Sequence, residues 1–198
     1  MLTTRQSEKG FTLIEMVVAL TVMAVLLSAA LPSYSGFMAN TKVRTAAEAF
    51  YAATQRARAE AIQRNDLVEL VLTDATPVNP PSGSGGNVLA LAETTTGKNW
   101  VIRAPNQTAP NQLIDSKLGA ESGGSMVVVN AGGPTKIQFN GSGESTSSTT
   151  ITVAFSHQTM NTSCSLTQSV RCVSVRISVG GQARLCEPNQ PSSDSRSC

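Results

Sequence analysis

The sequence predicts an α+β fold in which one long N-terminal helix precedes an antiparallel β-sheet domain. Two observations predict it. A strong helical pattern is confined to residues 1–65, and the remainder consists of short β-rich runs separated by stretches of Gly and Ser. A length of 198 residues fits one domain with a hydrophobic core and an additional segment. We therefore expect a helix at residues 11–65 and a β-rich globular domain at residues 66–198.

The helix begins with an apolar run at residues 11–31, FTLIEMVVALTVMAVLLSAAL. As a helix this run is about 30 Å long, which matches the hydrocarbon core of a bilayer. It is longer than the apolar region of an ordinary signal peptide, and no small-residue cleavage site ends it. Arg5 and Lys9 precede it, so the positive-inside rule places the N-terminus in the cytoplasm. We expect a single transmembrane segment at 11–31.

A carboxylate, Glu15, lies inside this apolar run. An ionised side chain near the middle of a bilayer costs about 2.5 to 3.5 kcal/mol. Glu15 either lies near the membrane surface, where it can reach water or stay protonated, or pairs with a positive charge.

The segment Lys9-Gly10-Phe11-Thr12-Leu13-Ile14-Glu15 resembles the type IV prepilin signature. The resemblance implies that prepilin peptidase removes residues 1–10 by cutting between Gly10 and Phe11, and that the new amino group of Phe11 is methylated. It also implies that Glu15 neutralises the N-terminal amine of a neighbouring subunit during assembly.

Beyond the apolar run, Pro32 lacks an amide donor, so we expect a kink near residues 28–32. The helix then continues at residues 32–65 with an apolar face that a β-sheet covers, and it ends at Asn65-Asp66. Ion pairs at i, i+4 are expected for Arg44 with Glu48 and for Arg56 with Glu60. The apolar face comprises Val43, Ala46, Ala47, Phe50, Ala53, Ala57 and Ala61.

The sequence at the end of this helix resembles one particular family of pilin-like proteins. Residues 57–65, ARAEAIQRN, and the following Val68-Glu69-Leu70 resemble the helix end and first strand of the GspH/FimT family, although Ala59 replaces the usual serine. Residues 171–175 and 181–186 resemble the closing hairpin of that family. The implied fold is type IV pilin-like.

The family resemblance implies a structural minor pilin or pseudopilin, assembled into the priming or tip complex of a type IV pilus or a type II secretion pseudopilus. The implied partners are other pilins or pseudopilins, prepilin peptidase, membrane lipid and an inner-membrane assembly platform. The implied location is the inner membrane with a periplasmic C-terminal domain, and the periplasm or cell surface after assembly.

The globular part contains several β-rich runs bounded by turn residues. The predicted strands are 67–73, 88–93, 100–103, 126–129, 135–139, 150–155, 171–179 and 182–186.

The four cysteines lie in the last 35 residues and lack the close spacing of structural zinc ligands, so we expect disulfides in an oxidising compartment. Four cysteines allow three pairings. We favour Cys164 with Cys172, which closes a short loop, and Cys186 with Cys198, which ties down the tail. The alternative joins Cys172 to Cys186 across the last hairpin.

Other function classes receive less support. A formal net charge of +2 gives no broad reason to expect nucleic acid, and the single histidine, His157, is accompanied by no catalytic motif, so we expect neither an enzyme nor a cofactor or metal. Some minor pilins resembling this chain bind DNA through Gly-Arg-x-Arg in the closing hairpin, where this chain has Gly181-Gln182-Ala183-Arg184. DNA uptake is therefore the alternative function, with Arg171, Arg176 and Arg184 as candidate contacts.

Overall fold

The computed structural model describes residues 10–75, 88–108, 111–122, 127–161, 164 and 170–198; within α1, the side chains of residues 29–33 are also outside the description. The chain divides into two compact units, Met1–Phe37 and Met38–Cys198. Helix α1 spans Leu13–Arg64. Among the described residues, no helical stretch combines the length and apolarity needed to cross a bilayer. The transmembrane assignment of residues 11–31, whose last three side chains lie outside the description, stays a prediction.

In the first unit, the apolar side chains of α1 point to solvent. Leu13 is 83% exposed, Leu20 is 65% exposed and Val25 is 68% exposed. Exposed apolar surface this extensive is uncommon on a soluble monomer and marks a surface that contacts lipid or other proteins.

In the second unit, α1 contributes one face to the core. All seven side chains of the predicted apolar face are buried, and Phe50 is completely inaccessible. The helix ends where expected: Asn65 adopts a left-handed φ of 49°, Asp66 N donates to Ala61 O at 3.2 Å, and Asn65 N donates to Ile62 O at 3.2 Å. This pair of hydrogen bonds is a Schellman motif, in which asparagine tolerates the left-handed conformation that ends the helix.

Within the described part of the chain, eight strands form two antiparallel four-stranded sheets. The strands are β1 (Val68–Thr73), β2 (Asn99–Arg103), β3 (Leu113–Lys117), β4 (Val127–Asn130), β5 (Lys136–Phe139), β6 (Ile151–His157), β7 (Val173–Ile177) and β8 (Ala183–Cys186). The first sheet has the order β3-β2-β1-β5, and the second has the order β4-β6-β7-β8. A short helix, α2 (Gly119–Ser122), follows β3.

Aromatic rings link the helix to both sheets. Phe50 of α1 meets Trp100 of β2 edge to face, with ring centroids 5.7 Å apart, and it meets Phe155 of β6 at 5.5 Å. Such aromatic pairs add about 0.5 to 1.5 kcal/mol beyond the burial of their area. The alanines beside Phe50 leave room for this close approach.

Two sequence predictions are wrong, and one strand was not predicted. Residues 88–93 are not a strand: Val88–Ala90 form a 3-10 turn, and Arg103 holds the segment through hydrogen bonds to Val88 O and Glu93. Strand β3 was not predicted, because its Leu-Ile-Asp-Ser-Lys sequence lacks a long β-rich run. The expected ion pair between Arg56 and Glu60 is absent from the described part of the chain. Instead, Arg56 pairs with Asp115 of β3, and Glu60 pairs with Arg64.

A buried polar network lies on the side of the first sheet that faces away from α1. The Arg103 guanidinium donates to Glu69 Oε2 at 2.7 Å and to Glu93 Oε1 at 2.5 Å, and Gln138 donates to Glu69 Oε1 at 2.6 Å. Burial raises the pKa of Glu69, but the hydrogen bonds from Arg103 and Gln138 outweigh it and hold that pKa below its usual value. The network therefore fixes the segment around Glu93 to β1, β2 and β5.

Candidate processing and assembly sites

The predicted cleavage site lies outside the helix. Gly10 and Phe11 precede the first helical residue, Gly10 is exposed, and the side chain of Phe11 is 79% exposed. Residues 1–9, most of the predicted leader, lie outside the described part of the chain. The bond between Gly10 and Phe11 therefore belongs to non-helical, accessible backbone.

A capping interaction determines where α1 begins. The hydroxyl of Thr12 accepts a hydrogen bond from Glu15 N at 3.3 Å. Thr12 is thus the N-cap residue and Glu15 occupies the third helical position, which is the Thr-x-x-Glu arrangement of a capping box. The exposed Glu15 carboxylate lies one helical turn after the new N-terminus that cleavage would create. Its predicted role in assembly is consistent with this position and stays a prediction.

Pro32 lies within the residues assigned to α1. Its side chain is outside the description, so the predicted kink stays a prediction.

The structure contains two disulfides, Cys164–Cys172 and Cys186–Cys198, which are the pairings that the sequence analysis favours. Their Cα atoms are 5.4 Å and 5.1 Å apart. The second bond ties the tail back to the end of β8. Beside it, Glu187 N donates to Arg196 O at 2.7 Å.

Charged side chains fix the tail further. Arg196 pairs with Asp194 at 2.8 Å and with Glu187 at 3.5 Å, and Arg171 pairs with Glu187 at 3.6 Å. Hydrogen bonds from Arg196 lower the pKa of Asp194 to about 2, so this carboxylate stays ionised throughout the physiological range. Arg171, one of the three candidate DNA contacts, and the tail residue Arg196 are therefore balanced by carboxylates of the tail.

The remaining two candidate arginines lie opposite each other. Arg176 of β7 and Arg184 of β8 are cross-strand partners, and both donate to the main-chain oxygen of Cys198, Arg184 Nη2 at 3.2 Å. A surface cavity of about 280 Å³ adjoins them. Its lining consists of Thr150, Arg176, Ser178, Gln182, Ala183 and Arg184.

Gln182, which replaces the first arginine of the DNA-binding motif, faces Arg58 of α1. With its amide oxygen toward the guanidinium, Gln182 accepts two hydrogen bonds at 3.2 and 3.3 Å. Arg58 Nε also donates to Gly143 O at 2.8 Å, so one helix arginine joins the turns before β6 and β8. Sequence reasoning missed Arg58, because Gly143 is 85 residues away and no local pattern indicates the contact.

His157 is a buried residue at the end of β6. Its Nδ1 accepts hydrogen bonds from Met160 N at 3.3 Å and Thr159 N at 3.4 Å. Burial lowers the pKa of His157, and the positive charge of Lys42 lowers it further. The structure thus favours a neutral, hydrogen-bonded histidine. Within the described ranges, no cluster of His, Cys, Asp or Glu is arranged to hold a metal ion.

Comparisons with known proteins place these features in a family. Residues 46–181 match the family model of the type II transport protein GspH, and residues 5–31 match the model of the prokaryotic N-terminal methylation motif. A fimbrial protein of Pseudomonas aeruginosa is 27% identical over 118 residues, which is 60% of this chain and 73% of that protein.

A similar fold is found in crystal structures of the Pseudomonas aeruginosa type IV minor pilin FimU. One matches with a TM-score of 0.51 and 18% identity, covering 80% of this chain and 95% of FimU. A second crystal form gives a TM-score of 0.49 over 76% and 94% of the two chains. The first match supports a pilin fold, with an N-terminal helix packed on antiparallel sheet.

The GspH model covers more than half of the chain, and the methylation motif precedes it in the sequence. The protein therefore belongs to the GspH family of minor pilins and pseudopilins, the structural subunits of type IV pili and type II secretion pseudopili.

Proposed function

We propose that the protein is made as a prepilin, cut between Gly10 and Phe11, and assembled as a minor subunit into the priming or tip complex of a pilus or pseudopilus. One observation carries this proposal. A methylation motif at residues 5–31 leads, through α1, into the family domain at residues 46–181. A subunit with this order can be anchored by its first segment and present its β domain to other subunits.

The capped helix start supports the processing step. A protease binds its substrate in an extended form, and the three residues before Leu13 are not helical. Thr12 caps the N-terminal end of α1. The bond between Gly10 and Phe11 therefore stays accessible without unwinding of the helix. Methylation of the new amino group of Phe11 follows in this proposal.

Glu15 would then meet a positive charge. An ionised carboxylate surrounded by apolar side chains requires a partner, and the amine created at Phe11 of an adjacent subunit supplies one. Pairing the two groups fixes the axial register of one subunit against the next. The exposed apolar side chains of Leu13–Leu27 would contact lipid before assembly and neighbouring helices afterwards.

The proposed location follows from this sequence of events. Residues 11–31 hold the unassembled subunit in the inner membrane with its N-terminus in the cytoplasm, and the disulfide-bonded domain lies in the oxidising periplasm. An inner-membrane platform then passes the subunit to other pilins or pseudopilins.

Intact mass and N-terminal sequencing of the protein from its native host test the processing step. We expect a chain that begins with N-methylated Phe11 and whose mass is four hydrogens below that of the reduced form. An uncut N-terminus, or cleavage after residue 31, would refute the proposal.

Substitution of Glu15 tests the assembly step. The Glu15→Ala protein should be cleaved normally but should be at least tenfold less abundant in sheared fibres, because the neighbouring amine lacks its partner. Glu48→Ala is the matched control: Glu48 is an exposed glutamate on α1 that pairs with Arg44 within the same chain. Equal incorporation of the two variants would remove the role of Glu15 in register.

A further inference from the structure

We propose that the turn formed by residues 157–161 is a latch that holds the end of the first disulfide loop, residues 170–172, against α1, and that protonation of His157 opens it. The latch lies within the second unit of the chain and operates whether or not the protein assembles into a fibre.

Main-chain donors determine the protonation state that the closed latch requires. His157 Nδ1 accepts hydrogen bonds from Met160 N at 3.3 Å and from Thr159 N at 3.4 Å. A main-chain N–H group can only donate, so Nδ1 must carry a lone pair and the proton of the neutral ring lies on Nε2. In the charged ring both nitrogens carry hydrogen, and two main-chain donors lose their acceptor at once. Little water can replace it, because His157 is only 4% exposed.

The turn connects the ring to the disulfide loop. Asn161 N donates to His157 O at 3.2 Å and closes the turn. The side chain of Asn161 is buried, and its Nδ2 donates to Val170 O at 2.6 Å. Cys172 Sγ lies 3.9 Å from Asn161 O. Asn161 is therefore fixed by the turn through its main chain and holds the end of the loop through its side chain.

The same end of the loop is fastened to α1. Arg171 N donates to Asn40 Oδ1 at 2.8 Å, although the two residues are 131 positions apart in the sequence. Arg171 directly follows Val170, whose main-chain oxygen is held by Asn161. Opening of the turn therefore frees two neighbouring contacts together, while the disulfide bond stays intact.

The surroundings of His157 oppose a positive charge on the ring. Burial lowers the pKa of His157 below its ordinary value of 6.5, and the positive charge of Lys42 on α1 lowers it further. Strand β4 pairs with His157 through Val127, a buried apolar residue. Arg171, the charged residue of the loop, is also positive and pairs with Glu187 at 3.6 Å. Among the described residues, no carboxylate lies within ion-pair distance of the ring.

Proton linkage gives the size of the effect. When the latch is open, the ring reaches water and titrates with its ordinary pKa of 6.5, whereas the lowered pKa applies when the latch is closed. The closed form therefore has its full stability above this ordinary pKa. Below it, the open fraction rises about tenfold for each pH unit until the lowered pKa is reached.

Hydrogen exchange of the full chain in detergent, measured by mass spectrometry at about pH 7.5 and about pH 5, tests the latch. Rates are corrected for the pH dependence of exchange in an unfolded peptide. We expect the amides of residues 159–161 and 170–172 to lose protection about tenfold or more at the lower pH. The amide of Glu187, which donates to Arg196 O beside the second disulfide, is the internal control and should keep its protection.

His157 is the single histidine of the sequence, so its titration can be followed directly. Nuclear magnetic resonance of protein labelled with ¹⁵N in histidine should show hydrogen on Nε2 at neutral pH. The midpoint of the ring titration should coincide with the midpoint of the loss of protection. Unchanged protection while the ring gains its proton, or equal loss of protection at Glu187, would overturn the inference, since the second result shows unfolding of the whole domain.

Two substitutions separate the acceptor from the proton. In His157→Asn, the amide oxygen can accept from the same main-chain donors but does not titrate, so residues 170–172 should stay protected at both pH values. In His157→Leu the acceptor is lost, so these residues should be poorly protected at both. A His157→Asn protein that opens at low pH as the wild type does would contradict the latch. If neither variant folds, exchange and titration of the wild type decide the question.

Discussion

Replacing Arg103 with leucine should destabilise the β domain strongly, because it breaks a buried ion pair. The side chains of Arg103 and Glu69 are 4% and 3% exposed, and their charged atoms are 2.7 Å apart. Removing one partner of a buried pair typically costs about 3 to 5 kcal/mol, since the other charge stays buried without compensation. Lys136, 3.3 Å from Glu69, and Gln138 remain as partners, so we expect the lower end, about 3 kcal/mol.

The assay is unfolding of the full chain in detergent, by urea and by heat. Circular dichroism monitors both transitions. For a domain of this size, about 3 kcal/mol lowers the melting temperature by about 6 to 12 °C. The control is Arg44→Leu, which removes an exposed helix pair worth about 0.3 to 0.5 kcal/mol; its side chains are 75% and 49% exposed. Equal losses for the two variants would refute the reasoning, because the buried pair would then behave as if solvated.

The same pair predicts a pH dependence. The pKa of Glu69 is lowered in the folded protein, so the unfolded chain binds more protons in the acid range. The stabilisation is complete above the usual carboxyl pKa and is lost as the pH falls through the lowered value. Combining Glu69→Leu with Arg103→Leu should recover part of the stability and weaken this acid dependence, since apolar side chains often replace a buried ion pair without loss.

Three further predictions concern the second sheet and its tail. Replacing Cys186 and Cys198 together with serine should lower the free energy of unfolding by about 3 kcal/mol, as expected for a loop closed across 12 residues; an unchanged urea midpoint would contradict this. Because the pKa of His157 is lowered in the folded protein, the free energy of unfolding should fall as the pH drops from the unfolded-state pKa near 6.5 toward the lower folded-state pKa. His157→Gln should flatten this part of the plot of stability against pH. An equally steep plot would contradict the assignment of a neutral histidine. Gly181 has a φ of 76° and an added Cβ would collide with Gly143 O, so Gly181→Ala should cost about 2 kcal/mol or more, whereas Gly180→Ala, which meets nothing within 4 Å, should change the unfolding midpoint little.

Local patterns in the sequence determined several features of this protein. The spacing of apolar residues identified the buried face of α1 from Val43 to Ala61, and Asn65 marked its end, because helical periodicity and capping depend on residues a few positions apart. The prepilin motif around Gly10 and Glu15 is likewise a contiguous pattern, and it identified the family without any knowledge of the fold.

Features that depend on contacts between residues far apart in the sequence could be determined only from the tertiary structure. The strand β3 and the turn at residues 88–90 were misjudged, because their conformations are set by pairing with β2 and by the buried Arg103 rather than by local propensity. Likewise, Arg56 pairs with Asp115, 59 residues away, instead of with its helical neighbour Glu60.

The candidate sites divide in the same way. The sequence alone predicted a cleavage position and a role for Glu15 from neighbouring residues, and both stay predictions. It favoured the cysteine pairing that the structure shows but left an alternative open. Only the fold decided that Gln182 meets Arg58, that Arg171 is balanced by the tail, and that Arg176 and Arg184 converge on one oxygen. The physical reason is that an interaction between two side chains depends on their separation in space, which strand pairing and helix packing determine and sequence distance does not.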